Sequence, residues 1–231
     1  MVTSAGLTTL VVLAGGLGTR MGAYTESTAK ALLPVGGEPF LLRQLRAFAR
    51  QGITDAVVCS GHRADQVLAA VGDGEHLGLR VRHSVEPEPL GAIGALRHAR
   101  DVLPPSFLLT YCDVVPVVEV RGFTADAVGN GRPAVMAVGR AREPGEANAV
   151  LGGDRVTAYA KHPPPPGADC TDLGLLALDR DLLDRHPGRD ESAFYGSLAR
   201  HGELGAVWID LVGADIGTAH RYESYLRRVR R

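Results

Sequence analysis

Lysine is almost missing from this chain. Of its 25 basic residues, two are lysine, Lys30 and Lys161, and the rest are arginine. Arginine therefore supplies the general surface charge, and the two lysines read as positions where a compact ammonium matters. Cysteine is scarce as well. Cys59, Cys112 and Cys170 are odd in number and scattered, which argues against a disulfide framework and for reduced thiols in the cytoplasm. There is no C-x-x-C or His/Cys cluster to indicate zinc. Charge of one sign is not in excess: the net charge of −1 gives no field that would draw in nucleic acid or a membrane. No apolar run reaches the roughly 18 residues of a membrane span, and Met1 to Thr9 is too short and too polar for a signal peptide. Internal repeats are absent, and the four prolines from Pro163 to Pro166 form a stiff connector rather than a flexible linker. Two phosphate-binding signatures are also missing. No G-x-x-x-x-G-K-[ST] occurs, and Gly16, Gly18 and Gly22 have the wrong spacing for G-x-G-x-x-G.

What remains is organised around residues 10–39. The apolar run Leu10 to Leu13 reads as a buried strand, followed by Ala14 and a turn carrying Gly15, Gly16 and Gly18. Such a turn lets backbone N–H groups approach a ligand closely and form a concave anion site. Arg20 follows at once and Lys30 ten residues later; both can reach phosphate oxygens. This combination points to a nucleoside triphosphate site, the alternative being a plain strand–loop connection with surface charges. Beyond it the periodicity predicts a helix over 39–51, strand 55–60, helix 63–71 and strand 79–85. A helix beginning near Gly91 runs to about Val102, followed by strand 106–111, a short helix 123–130 and strand 133–139. Residues 148–161 read as a hairpin, 170–178 as a strand, 179–184 and 191–201 as helices, 205–209 as a strand and 219–228 as a basic last helix ending in Arg227, Arg228, Arg230 and Arg231. Alternating β and α elements argue for a mainly parallel sheet covered by helices, within one domain over 1–231.

The strings LAGGLGTRM and TAKALLPVGGEPFL resemble the signature of the sugar-1-phosphate nucleotidylyltransferases, L-A-G-G-x-G-T-R-L-x-P-L-T followed by P-K-A-L-L-P-V-x-G-x-P. Gly22 to Thr25 replace R-P-L-T, and Ala29 replaces the proline before the lysine. Glu86-Pro-Glu-Pro89-Leu90-Gly91-Ala-Ile-Gly resembles the family's E-x-x-P-L-G-T-A-G, which lies against the nucleobase. Cys112-Asp113 stands at the family's G-D, and Ala214-Asp215-Ile-Gly-Thr218 at its D-I-G-T-P. Val156 to Pro163 resembles V-x-x-F-x-E-K-P; a branch with tyrosine-aspartate-lysine makes Lys161 the functional lysine, and a gapless alignment puts His162 there. Cys170 to Leu178 resembles I-N-A-G-I-Y-V-F.

The resemblance implies a three-layer α/β/α, Rossmann-like nucleotidyltransferase domain with a mixed, mostly parallel sheet. It also implies a nucleotide site at Leu13, Ala14, Gly15, Gly16, Gly18, Thr19, Arg20, Glu86, Pro89, Leu90 and Gly91. Asp113 and Asp215, expected exposed at the mouth of the crevice, would hold Mg²⁺. Arg20, Lys30 and Lys161 would hold the triphosphate and the acceptor phosphate. Asp172 and Gly174, with Lys161 and His162, would face the sugar phosphate; a hydrogen bond at the strand start accounts for Asp172 equally well. Cys112 reads as a small buried filler, since phosphoryl transfer needs no thiol. The implied reaction joins an NTP and a sugar 1-phosphate into an NDP-sugar with release of pyrophosphate, and an assembly of identical copies is compatible with it. A non-sugar phosphate or phosphonate acceptor, as in related cytidylyltransferases, and a nucleotide-binding protein without catalysis are the alternatives.

Overall fold

The computed structural model describes residues 1–2, 7–115, 118–141, 145–210 and 214–229. Arg230 and Arg231, expected at the basic helix end, lie outside these residues. In chain order the elements are β1 (Thr9–Ala14), β2 (Pro34–Val35), β3 (Glu38–Pro39), α1 (Phe40–Ala49), β4 (Asp55–Ser60), α2 (Ala64–Val71), β5 (Arg80–Val85), α3 (Ala92–His98) and β6 (Ser106–Tyr111). Then follow α4 (Val120–Asn130), β7 (Ala134–Gly139), β8 (Ala149–Leu151), β9 (Val156–Tyr159), β10 (Thr171–Asp179), α5 (Leu182–Arg185), α6 (Glu191–Arg200), β11 (Leu204–Trp208) and α7 (Ala219–Val229).

Seven strands form one sheet in the order β11-β7-β10-β6-β1-β4-β5. β10 runs antiparallel to both of its neighbours, and every other pair is parallel. The sheet is therefore mixed and mostly parallel, as expected. Period-two alternation sorts each central strand onto two cores. Leu10 and Val12 of β1 face Leu41 and Leu45 of α1, Val67 of α2 and Phe123 of α4. Val11 and Leu13 face Ile93 and Leu96 of α3, Leu182 of α5 and Phe194 of α6. Strands buried on both faces read as continuous apolar runs, which is why VVL, FLL and AVMAV carry no polar alternation.

Several boundaries differ from the sequence expectation; the helix expected to run to about Val102 ends at His98, and a separate 3₁₀ turn covers Arg100–Val102. β10 stays paired through Asp179, opposite Ser106, so the helix expected from Asp179 begins only at Leu182. α4 starts at Val120, before Phe123, because the Glu119 carboxylate accepts the N–H groups of Arg121 and Gly122 and caps it. Residues Thr19–Thr25 form a 3₁₀ turn that apolar periodicity does not reveal. No helix among the described residues is long and apolar enough to cross a membrane.

The topology fixes where ligand groups gather. β1, β4, β5 and β6 are parallel, so their carboxyl ends share one edge of the sheet, the usual ligand side of an open α/β sheet. Gly15, Gly61 and Glu86 follow those ends directly, and Asp113 comes one residue later, after Cys112. Because β10 runs the other way, its beginning, with Asp172, lies at the same edge.

Candidate active site

Asp113 and Asp215 meet although 102 positions separate them. Val114 and Asp215 form an antiparallel bridge, with Val115 N–H donating to Ala214 O at 2.8 Å and Ile216 N–H to Asp113 O at 2.8 Å. A Cβ built on Gly217 would lie 3.0 Å from both Asp113 Oδ2 and Asp215 Oδ1, so the two carboxylates flank the same small volume. Each also has a cation of its own. Lys30 Nζ lies 2.5 Å from Asp113 Oδ2, and Arg221 Nη1 lies 2.8 Å from Asp215 Oδ2. The side chains are only 18% and 22% exposed, so they are half-buried where open exposure was expected; Lys30, Arg221 and the bridged backbone cover them. Hard carboxylate oxygens that converge at one point fit a Mg²⁺ ion. Among the described residues no third His, Cys, Asp or Glu joins them.

The turn that carries Asp113 is clamped from below. Gln44 of α1 is fully buried, and its Nε2 donates to Tyr111 O at 2.9 Å and to Val114 O at 2.7 Å, on either side of Asp113. Cys112 N–H extends the ladder to Leu13 O at 3.0 Å. The Cys112 thiol packs in the core with Leu10 and Val12, and burial pushes its pKa up to about 12, so it is a filler and not a nucleophile.

Leu13 and Ala14 are buried at the end of β1, and the glycine turn follows. Gly15 does not face an open ligand space: a Cβ there would collide with the Glu86 carboxylate, which also covers Gly61. Glu86 Oε2 accepts the Leu90 N–H at 3.2 Å, so this side chain ties the glycine turn to the Pro89–Gly91 segment. Gly16 has open space beside it. Thr19 and Arg20 are exposed on the 3₁₀ turn, and Arg20 makes no ion pair among the described residues.

The departures from the family signature have local explanations. Met21 is buried against Phe40 and Tyr222, and Thr25 Oγ1 donates to Gly18 O at 3.1 Å, closing the turn upon itself. Ala29 keeps φ −57°, a value proline would impose. Its N–H, which proline would lack, donates to Gln66 Oε1 at 2.8 Å.

On the other side of the crevice, Lys161 is half-buried and His162 is exposed. Lys161 Nζ lies 2.6 Å from Glu191 Oε1 and 5.2 Å from the centre of the Tyr111 ring. Burial pulls the Lys161 pKa down, but Glu191, Asp172 and Asp113 together leave it raised above the ordinary lysine value. Asp172 accepts the Gly174 N–H at 2.7 Å and the Tyr159 hydroxyl at 3.2 Å. The hydrogen bond at the strand start is thus present. It holds a bulge in which Gly174, with φ +75°, adopts the left-handed region that L side chains avoid. Burial raises the Asp172 pKa, partly offset by Lys161 and by the Gly174 N–H. Gln44, Glu191 and Arg221 escaped the sequence reading. Only Gln44 left a trace there, as a polar residue within the apolar stripe of α1.

A family model described as the MobA-like NTP transferase domain matches residues 10–166. A glucose-1-phosphate thymidylyltransferase of Streptomyces griseus is 41% identical over 120 residues, covering 50% of this chain and 34% of its own length. A mannose-1-phosphate guanylyltransferase of Mycobacterium tuberculosis is 29% identical over 186 residues, covering 79% of this chain and 52% of its own. The chain thus spans about a third of one curated relative and about half of the other. Among solved structures, a Bacillus anthracis protein provisionally named a glucose-1-phosphate thymidylyltransferase, in complex with sucrose, superposes with a TM-score of 0.84 at 20% identity over 96% of this chain and 95% of its own. HddC from Yersinia pseudotuberculosis, complexed with GMP-PN, gives 0.78 at 20% identity over 95% and 98%. Identities this low establish the shared fold alone. The matched family model covers more than half of the chain, and takes in the glycine turn, Arg20, Lys30, Asp113 and Lys161. The chain belongs to the MobA-like NTP transferase domain family.

Proposed function

We propose that this protein is a nucleotidyltransferase that takes an NTP and a sugar 1-phosphate and makes an NDP-sugar and pyrophosphate. The observation that carries this reading is the convergence of Asp113 and Asp215 about Gly217, with Lys30 beside them, at the carboxyl edge of the sheet where the glycine turn opens. The curated relatives named for thymidylyl and guanylyl transfer to sugar 1-phosphates favour the same reaction.

The acceptor phosphate oxygen attacks the α-phosphorus in line. The bond from the α-phosphorus to the bridging oxygen breaks, and pyrophosphate leaves with that oxygen and its electron pair. Nothing in this step needs a protein nucleophile, so the chain contributes position and charge. Backbone N–H groups at Gly16 and Gly18, with Arg20, cradle the β- and γ-phosphates. Lys30 holds the α-phosphate, and Lys161 the acceptor phosphate. Asp113 and Asp215 would hold Mg²⁺, which when bound would neutralise phosphate charge. Glu86 and Pro89 to Gly91 flank the base; Asp172 and Gly174 shape the sugar side. Substrates are small molecules in the cytoplasm, without nucleic acid or membrane. The test incubates the protein with each NTP and a panel of sugar 1-phosphates and measures pyrophosphate. Release with no pair, alongside retained nucleotide binding, would make it a binding protein. Release only with a non-sugar phosphate or phosphonate would reassign the acceptor.

A further inference from the structure

Lys161 is held at both ends by the first turn of α6. Its backbone N–H donates to Ser192 Oγ at 2.9 Å, and its Nζ lies 2.6 Å from Glu191 Oε1. The helix start is itself fixed, because the Asp190 carboxylate accepts the Ala193 N–H at 2.9 Å. Just before it, Arg189 O accepts the Ile93 N–H at 3.0 Å, which fastens the same segment to the first turn of α3 behind Gly91. Lysine is a flexible point charge with four rotatable bonds, and only an external partner gives its ammonium a defined place. Here the Tyr111 ring lies to one side and the Glu191 carboxylate fixes the direction. Of the three donors on Nζ, Glu191 takes one and leaves two for phosphate oxygens.

We infer that Glu191 is the positioning residue of Lys161: it aims the ammonium at the acceptor phosphate, and is not itself a ligand of the sugar. This rests on the acceptor role proposed for Lys161. The groups that face Lys161 are Glu191 of α6, Asp172 of β10, Tyr111 of β6 and, further off, Asp113; behind them the Tyr195 hydroxyl bonds that of Tyr111 and the Tyr159 hydroxyl bonds Asp172. Glu191 is the one carboxylate of these in direct contact with Nζ among the described residues. Losing a charge-assisted partner that orders the ammonium removes about tenfold of binding to the group it serves.

The scarcity of lysine makes a direct test available. With ¹³C,¹⁵N-labelled lysine the full-length protein gives two side-chain Nζ resonances, and Lys161→Arg identifies one by its loss. In Glu191→Gln the Lys161 resonance should begin to titrate at lower pH than in the wild type, while Lys30 is unchanged. The same variant should raise the KM for the sugar 1-phosphate about tenfold and leave the KM for the NTP where it was. An unshifted titration overturns the inference, even if the acceptor KM rises, because Glu191 would then act through its own contact with the sugar. A shifted titration with an unchanged acceptor KM overturns it too, leaving the pair purely structural. If the wild type turns over no NTP and sugar phosphate, the proposed reaction fails; the inference is then decided by inorganic phosphate, whose effect on the Lys161 resonance Glu191→Gln should weaken about tenfold in affinity.

Discussion

At Gly217 the site has no spare volume. A single methyl there would press on both carboxylates proposed to hold the metal, at 3.0 Å from each. Gly217→Ala is therefore expected to leave the fold intact and to lower turnover about a hundredfold, the scale of displacing a reacting constellation by an ångström or less. Steady-state pyrophosphate release, with a melting curve as control, checks this. Asp113→Ala and Asp215→Ala should each abolish turnover, and the double variant should be no worse than either, because the pair acts as one unit. Unimpaired wild-type turnover in excess EDTA would remove the metal assignment. Cys112→Gly should keep the substrate range and lower stability by about 1 kcal/mol or somewhat more, from lost burial and added chain freedom. A widened range at full stability would place the sulfur in the site instead. Asp113, Asp215 and Lys30 were legible because each lies inside a contiguous string. Gln44, Glu191 and Arg221 were not, because what they do depends on a partner 30 positions away for Glu191 and 67 for Gln44, and because Arg221 is one arginine among many on a basic helix.

Between elements, two contacts carry consequences. The β8–β9 hairpin pairs Ala149 with Tyr159 and delivers Lys161 into the crevice two residues later. Lys161→Ala should cost about a hundredfold or more in turnover, the scale of removing one preorganised charge, and His162→Ala far less; the reverse order would mean that His162 holds the place of the family lysine, as the glutamate-lysine pattern has it. The second contact ties α5 to α6 and β11. Glu203, just ahead of β11, lies 2.5 Å from Arg185 Nη1 and 2.5 Å from His186 Nε2, and His186 Nδ1 lies 3.0 Å from Ser197 Oγ of α6. Burial alone would raise the Glu203 pKa, but Arg185 and His186 outweigh it and hold it below the ordinary 4.5. A depressed carboxylate stabilises the fold in full above its unfolded pKa and loses that contribution as pH falls through the folded one. The stability gap between wild type and Glu203→Gln should accordingly be about 1 kcal/mol or less at neutral pH, the scale of an ion pair open to solvent, and shrink below about pH 4.5. Denaturant melts at a series of pH values measure it; a gap that stays constant on acidification would show that charge is not its source. The strands were readable because period two and continuous apolar runs are local properties. The helix starts at Val120 and Leu182 were not, since a glutamate cap and a strand held by its neighbour decide them.

Over the whole molecule, the free protein meets two carboxylates at the crevice with two of its own cations, Lys30 and Arg221. In the proposed reaction an NTP with its Mg²⁺ would bring in both charges at once: the ion for Asp113 and Asp215, and phosphates for Lys30 and Arg20. Neither partner alone satisfies both sets, so binding should be strongly cooperative between nucleotide and metal. A ligand that binds only the native state stabilises it by RT ln(1 + [L]/Kd), about 2.7 kcal/mol at a hundred times Kd. In a chain of 231 residues each kilocalorie raises Tm by roughly 2–4 °C. The preferred NTP with Mg²⁺ should therefore raise Tm by roughly 5–10 °C. The same NTP in EDTA, or Mg²⁺ alone, should raise it by about 2 °C or less. Asp113→Asn should remove most of the cooperative part while leaving the unliganded Tm within a few degrees. Running the five common nucleotides in this assay also ranks the base without any acceptor present. An equal shift with and without Mg²⁺ would show that the nucleotide is held by Arg20, Lys30 and the glycine turn alone, and that Asp113 and Asp215 do not act as metal ligands.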